Sequence, residues 1–223
     1  MASKSGLLSV SVGRKIAMAL SALFLLIFLT QHLIINFSSV LSPDAFNELS
    51  HFMGTNGLIQ FVMQPVLIFG VVFHFIMGFV LTAKNKAARP IKYVKSNNAA
   101  NSTWTSRNMI LSGIVILLFL GLHFYDFWFP EIAHKYIHSN PEDPTRYYGE
   151  LVAKFQDPVR VGLYCLAFIF LGLHLAHGFK SSFQSMGWEH PKYTPFIKGL
   201  GKLFSIVVPV GFIFIAVFHY INS

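Results

Sequence analysis

Charge is scarce in this sequence. Only 12% of its 223 residues are Asp, Glu, Lys or Arg, against about a quarter in an ordinary soluble domain. Hydrophobic residues make up 54%, and mean hydropathy is +0.56. So few polar side chains cannot cover a water-facing surface, which excludes a soluble globular domain and leaves lipid as the solvent. Cysteine is nearly absent: Cys165, inside an apolar run, stands alone. That excludes a disulfide framework, a four-thiolate iron–sulfur site and a C-x-x-C-H attachment. The chain also lacks a G-x-G-x-x-G or P-loop fingerprint and any segment long enough for a flavin or nucleotide fold. No nucleic-acid partner is expected. What is abundant is Phe, at 24, and His, at ten. With thiolates excluded, a redox cofactor would be held non-covalently and mainly by histidine.

Five apolar runs are each long enough to cross a bilayer, which takes about 20 helical residues. They lie near 15–37, 57–83, 108–129, 158–180 and 203–221. The first is too long for a signal peptide, and Gln31-His32 stands where a small-residue cleavage site would be. The expected fold is therefore an all-α integral membrane protein, a bundle of five transmembrane helices forming one membrane domain over 1–223. Pro43 and Asp44 suit the start of a short surface helix in the first outer loop. The second outer loop, Pro130–Asp157, reads as turn plus short helix.

Loop charge supplies an orientation. The N-terminal tail and the loops Lys84–Arg107 and Lys180–Lys202 hold 13 of the 17 Lys/Arg and only one acid, Glu189. By the positive-inside rule the N-terminus is cytoplasmic and the C-terminus outside. An odd number of spans fits, and three separate loops agree.

Ionisable residues inside a span are costly, so each is a functional candidate. His32, His74, His123 and His174 lie in the first four spans. At 1.5 Å per residue, His32 is roughly 27 Å from Arg14, His123 roughly 24 Å from Arg107, His74 roughly 15 Å from Lys84 and His174 roughly 9 Å from Lys180. Two layers result: His32 with His123 towards the outer face, His74 with His174 towards the inner. Taken singly, each is as readily a hydrogen-bond partner between helices as a ligand. Four matched in pairs by depth favour ligation, because a bis-imidazole haem needs two rings at one level. His74 and His174 are each followed four residues later by glycine, Gly78 and Gly178, so a small residue shares the ligand's face. The fourth ligand has a rival in His177, one turn from His174 and less well in register with His74.

The remaining histidines, His51, His134, His138, His190 and His219, lie in loops or near span ends and read as solvated or structural. His134-x-x-x-His138 and His174-x-x-His177 match the spacing of membrane di-iron boxes. They belong to opposite faces of the membrane, however, and cannot share one iron pair. Two haems with two histidines each would offer no open position and would carry electrons across the membrane, to or from a soluble partner at one face and a quinone at the other. Glu48, His51, Asn56 and Asp126 form the polar outer cluster where a quinone could meet its protons, although an ordinary interfacial acid is the stronger account of Asp126. Lys84, Arg107 and Lys180 are candidate partners for haem propionates. The basic inner loops could also meet anionic lipid or an acidic partner.

Gln31-His32-Leu33-Ile34-Ile35-Asn36 and Phe46-Asn47-Glu48-Leu49-Ser50-His51-Phe52-Met53 strongly resemble the single-chain, five-span cytochrome b subunit of bacterial succinate dehydrogenases and fumarate reductases. Gly172-Leu173-His174-Leu175-Ala176-His177-Gly178-Phe179 is similar to that family's fourth span. The resemblance covers essentially the whole chain. It implies two haem b, His32 and His123 ligating the distal one and His74 and His174 the proximal one. It also implies an iron–sulfur subunit and a flavoprotein subunit as partners, menaquinone as substrate, and a place in the bacterial cytoplasmic membrane. The dicarboxylate site would lie on another subunit. One position departs: some fumarate-reducing members carry Glu two residues before the fourth-span ligand, where this chain has Gly172. That puts the proton route linked to the acid in doubt and leans towards succinate oxidation. Two alternatives stand: a dihaem cytochrome b serving a hydrogenase or formate dehydrogenase, and a transporter or proton channel with a histidine relay.

Overall fold

The computed structural model describes residues 11–87, 104–138 and 142–222. The N-terminal tail to residue 10, most of the basic loop between Lys84 and Arg107, and Pro141 lie outside the described residues. Among the described residues every regular element is helical. Five helices are long and apolar enough to cross a membrane: α1 (Ser11–Leu41), α3 (Ile59–Ala87), α4 (Met109–Ile137), α6 (Pro158–Ser185) and α7 (Thr194–Ile221). Two shorter ones, α2 (Pro43–Thr55) and α5 (Arg146–Phe155), close one end of the bundle, here called the cap. The opposite end, where α1 begins, is the base.

Large apolar side chains stand on the outside. Ile27, Phe61, Phe69, Leu118, Val159 and Phe196 are each about 70% exposed. In water so much uncovered apolar surface would drive aggregation; against lipid it costs nothing. The chain is a multi-pass membrane protein by this measure, as its composition leads one to expect.

The bundle is a square of four helices with a fifth alongside. α1 packs on α3 and α6, and α4 packs on the same two, so α1 and α4 face each other across one diagonal and α3 and α6 across the other. α7 packs on α6 and α1. Phe168, Leu175, Val208, Phe212 and Ile215 fill that seam and join the buried cluster that reaches Phe46 of α2 and Leu151 and Phe155 of α5.

Several spans are longer than hydropathy suggests. α4 was expected to end near Phe129 but continues through Pro130 to Ile137. A proline inside a helix collides with the carbonyl four residues back. Here the residues before it, Phe124–Trp128, form a wider turn in which the amide of Phe129 bonds to the carbonyl of Phe124 five residues back, and this makes room. The same device precedes Pro65 in α3, at Ile59–Met63. α7 begins at Thr194, well before the predicted 203, because Lys198 and Lys202 depress the hydropathy of a segment that is nonetheless helical, with Pro195 in its first turn.

Caps follow the expected chemistry. Ser42 Oγ accepts from the amide of Ala45 at 3.2 Å to start α2, as the Pro43-Asp44 signal implies. Asn56, placed by sequence in the outer polar cluster, accepts from the amides of Leu58 and Ile59 at 3.0 and 3.3 Å and starts α3.

Pro209 inside α7 leaves the carbonyl of Ser205 without its helical partner. Gly172 of α6 lies against that carbonyl: a Cβ there would sit 3.1 Å from the oxygen and 3.3 Å from Pro209 Cγ. Both neighbours belong to rigid groups, so the helices would have to part. Gly172→Ala is expected to lower stability by about 1–3 kcal/mol through overpacking. Gly162→Ala on the same helix, where a Cβ would meet nothing within 4 Å, should be neutral or gain up to about 1 kcal/mol of helix propensity. Thermal unfolding of the two variants side by side checks this.

Candidate functional site

The four intramembrane histidines meet in two pairs, each across one diagonal of the square. His32 of α1 and His123 of α4 have ring centroids 5.7 Å apart with planes at 89°. His74 of α3 and His174 of α6 are 6.3 Å apart with planes at 64°. The ring that faces His74 belongs to His174; His177, half-buried one turn further on, makes no such contact. Ser21 of α1, which touches His74, and His32 are separated by eleven residues, a rise of about 16 Å between the base-side and cap-side pairs.

The base-side pair carries a second layer of contacts that sequence reasoning did not find. Ser21 Oγ lies 3.0 Å from His74 Nδ1 and donates its own proton to the carbonyl of Met18 at 2.8 Å. A hydroxyl has one proton, so the ring nitrogen is the donor of the first bond. With the Ser21 proton on Met18, the His74 ring offers its proton through Nδ1, and Nε2 is the nitrogen left for a ligand. Ser112 repeats the arrangement on α4: it donates to the carbonyl of Met109 at 2.9 Å and lies 3.2 Å from His174 Nδ1, and the His174 ring is also within hydrogen-bonding reach of that same Met109 carbonyl. The glycines following these histidines are used as well. A Cβ on Gly78 would meet the methyl of Met18 at 3.8 Å, and one on Gly178 the methyl of Met109 at 3.4 Å. The proposed role of the His-x-x-x-Gly pattern, close approach beside the ligand, is filled here by a methionine methyl from the neighbouring helix.

The signal was in the sequence. Met18, Ser21, Phe28 and His32 in α1 recur at identical intervals as Met109, Ser112, Phe119 and His123 in α4. Both phenylalanines stack on the histidine one turn later, at 5.3 and 5.8 Å.

The cap-side pair is held differently. His123 Nδ1 is buried without a hydrogen-bond partner, and the ring lies against Phe119, Phe127 and Tyr164. Asn36 stays 3.5 Å from both ring nitrogens of His32 and donates instead to the His32 carbonyl at 2.8 Å. Beside His123, Asp126 is buried in an ion pair with Arg160 and accepts from the hydroxyl of Tyr164 at 2.9 Å.

Of the three quinone candidates, Glu48 and His51 lie one turn apart on α2, and Asp126 lies on α4. Glu48 is exposed on α2. Asp126 is enclosed by α6. His51 lines a cleft with Thr55, His134, Lys135, Glu142, Arg146 and Tyr147; its Nε2 is 4.0 Å from Glu142, and its Nδ1 is buried without a hydrogen-bond partner. One wall of the cleft is an ionic lattice in which Glu131 pairs with Lys135 and Arg146, and Arg146 with Glu150 at 2.7 Å. Burial opposes the Arg146 charge, but the hydrogen bonds to Glu131 and Glu150 outweigh it and hold the guanidinium above its ordinary pKa. Burial also pushes the Tyr147 phenol up.

His219, expected near the outer end of the last span, is buried: Ser39 lies 2.8 Å from its Nε2 and donates to the carbonyl of Asn36 at 2.6 Å. Its ring packs on Tyr148 and Phe218, which is a structural use. His190 lies in the base loop, and its amide donates to Thr194 Oγ1. Lys84, Arg107 and Lys180 are exposed at the base.

Two imidazoles bound to one iron through bonds of about 2 Å place their ring centres roughly 6 Å apart, once the distance from nitrogen to ring centre is added. Both pairs have that spacing, and both come from helices on opposite sides of the bundle. The residues present therefore fit a bis-histidine metal centre at each level. Compared with protein-family models, curated proteins and solved structures, the chain has no match.

Proposed function

We propose that this chain is the dihaem cytochrome b anchor of a bacterial succinate:menaquinone oxidoreductase. His74 and His174 would hold the proximal haem and His32 and His123 the distal one. The observation that carries the reading is the pairing of four intramembrane histidines across two diagonals at two depths. Haem supplies one-electron chemistry at a centre with no open coordination position. The protein's part is to hold four neutral imidazoles in apolar surroundings and to keep water from the two levels. A pair at each depth makes a path across the membrane. Loop charge supports a cytoplasmic base, where an iron–sulfur subunit and its flavoprotein would dock, and a cap facing outwards.

Menaquinone is the membrane-soluble partner of this reading. The His51 cleft suits it better than Asp126, whose carboxylate is already committed to Arg160 and Tyr164. Gly172, standing where some fumarate-reducing members carry Glu, supports the succinate-oxidising direction. The deciding measurement is the visible spectrum and haem content of the purified protein. About two haems b per chain with low-spin, six-coordinate bands is the expected result. A haem-free preparation would end the reading and leave a histidine-relay transporter. Co-purification with a flavoprotein and an iron–sulfur protein that oxidise succinate separates this assignment from a cytochrome serving hydrogenase or formate dehydrogenase.

A further inference from the structure

We propose that Ser21 and Ser112 are positioning residues for the base-side histidines, fixing the coordinating nitrogen and ring orientation and thereby setting the electron affinity of the iron between them. The inference rests on the dihaem reading and deepens it. Each serine hydroxyl spends its proton on its own helix, Ser21 on Met18 and Ser112 on Met109, and so turns a lone pair towards the ring. Ser21 is 9% and Ser112 4% exposed, so water does not compete for that lone pair. The arrangement occurs twice, on different helices, at the same interval from Phe28-x-x-x-His32 and Phe119-x-x-x-His123. Each time the methionine that receives the hydroxyl proton also packs its methyl on the glycine one turn beyond the histidine.

A serine–histidine bond alone does not make this case. Ser39 and His219 form one too, but that ring faces Tyr148 and Phe218. Among the described residues, two serine-held rings face each other only at His74 and His174. An acceptor on Nδ1–H strengthens electron donation through Nε2. Ferric iron gains more from that donation than ferrous iron. Removing the acceptor should therefore raise the reduction potential of the base-side centre.

The test uses the full-length haem-loaded protein with Ser21→Ala, Ser112→Ala and the hydroxyl-retaining Ser21→Thr and Ser112→Thr. Haem content, the midpoint potential of each haem, and the low-spin ferric resonance, which is sensitive to the angle between the axial rings, are measured together. The alanine variants should move one of the two midpoints upwards, by about 59 mV for each tenfold change in relative ferric and ferrous stability. The low-spin signal of the same haem should shift, the other haem should stay unmoved, and threonine should restore wild-type values. Loss of one haem in the alanine variants, restored by threonine, would equally support the proposal. Alanine variants with full haem and unmoved midpoints and resonances would overturn it, as would threonine shifting the haem as far as alanine. A wild-type protein without haem would overturn the dihaem reading itself, which keeps the two failures apart.

Discussion

Replacing His74 or His174 with alanine is expected to take the purified protein from about two haems per chain to about one, with the remaining haem spectrally intact. Replacing His32 or His123 should remove the other. The rings of each pair face one another across the bundle at 6.3 and 5.7 Å, so on the proposed reading removing either would leave its haem with one histidine in place of two. Loss of even an outer hydrogen bond to a ligating histidine typically weakens metal binding by about 10- to 100-fold, and loss of the ligand itself should exceed that. The levels lie about 16 Å apart along α1, far enough for each haem to be lost independently. His177→Ala should leave both haems in place. If His177→Ala and not His174→Ala removed the base-side haem, the ligand assignment would be wrong. Haem content per chain, with far-ultraviolet circular dichroism to show that the helices persist, decides the matter.

The second large effect is expected at Asp126. Its carboxylate is fully buried, paired with Arg160 and bonded by Tyr164. Asp126→Ala would leave a guanidinium facing an apolar wall and a phenol without its acceptor. Breaking a buried pair from one side costs about 3–5 kcal/mol. The Arg160 side chain is 24% exposed and can reach some water, so a loss near 3 kcal/mol is expected. Replacing both partners with apolar residues, Asp126→Leu with Arg160→Met, should recover much of it, because no uncompensated charge remains. Midpoint temperatures of unfolding in detergent for Asp126→Leu, Arg160→Met and the double variant give the coupling directly. A single variant as stable as wild type would show that the pair is not holding α4 to α6. Tyr164 also packs on His123 at 6.3 Å, so the same substitution should loosen the cap-side haem before the base-side one.

The five spans and the histidine pairing were both legible in the sequence, because hydrocarbon imposes length and apolarity on a helix and makes an imidazole conspicuous. Span ends were harder to place. Lys84 and Lys180 mark where hydropathy falls and not where the helices end, since α3 runs to Ala87 and α6 to Ser185. Depths counted from those lysines still sort His74 and His174 into one inner layer, although the counts differ by roughly 6 Å, and their rings are neighbours. Pro130 looked like a stop because the wide turn that accommodates it leaves no mark in composition. Asp126 looked interfacial because Arg160, its counterion, is 34 residues away. Such a partner appears only when helices pack. The serines were missed for another reason: a small polar residue in a span is common, and only comparing the first span with the third reveals that both stand at the same interval from a histidine.

That recurrence has a geometric consequence. α1 and α4 run in the same sense, as do α3 and α6, so the order of helices around the square is that of a parallel internal duplication, whose rotation axis would lie parallel to the helices. Such an axis would exchange His32 with His123 and His74 with His174. A group held equally by both members of a pair would lie on that axis. The paired histidines would then be equivalent within each level. What distinguishes one side from the other is whatever such a rotation does not repeat: α7, which within the square leans on α6 and α1, and the Asp126–Arg160–Tyr164 network, which stands beside His123 and among the described residues has no counterpart beside His32.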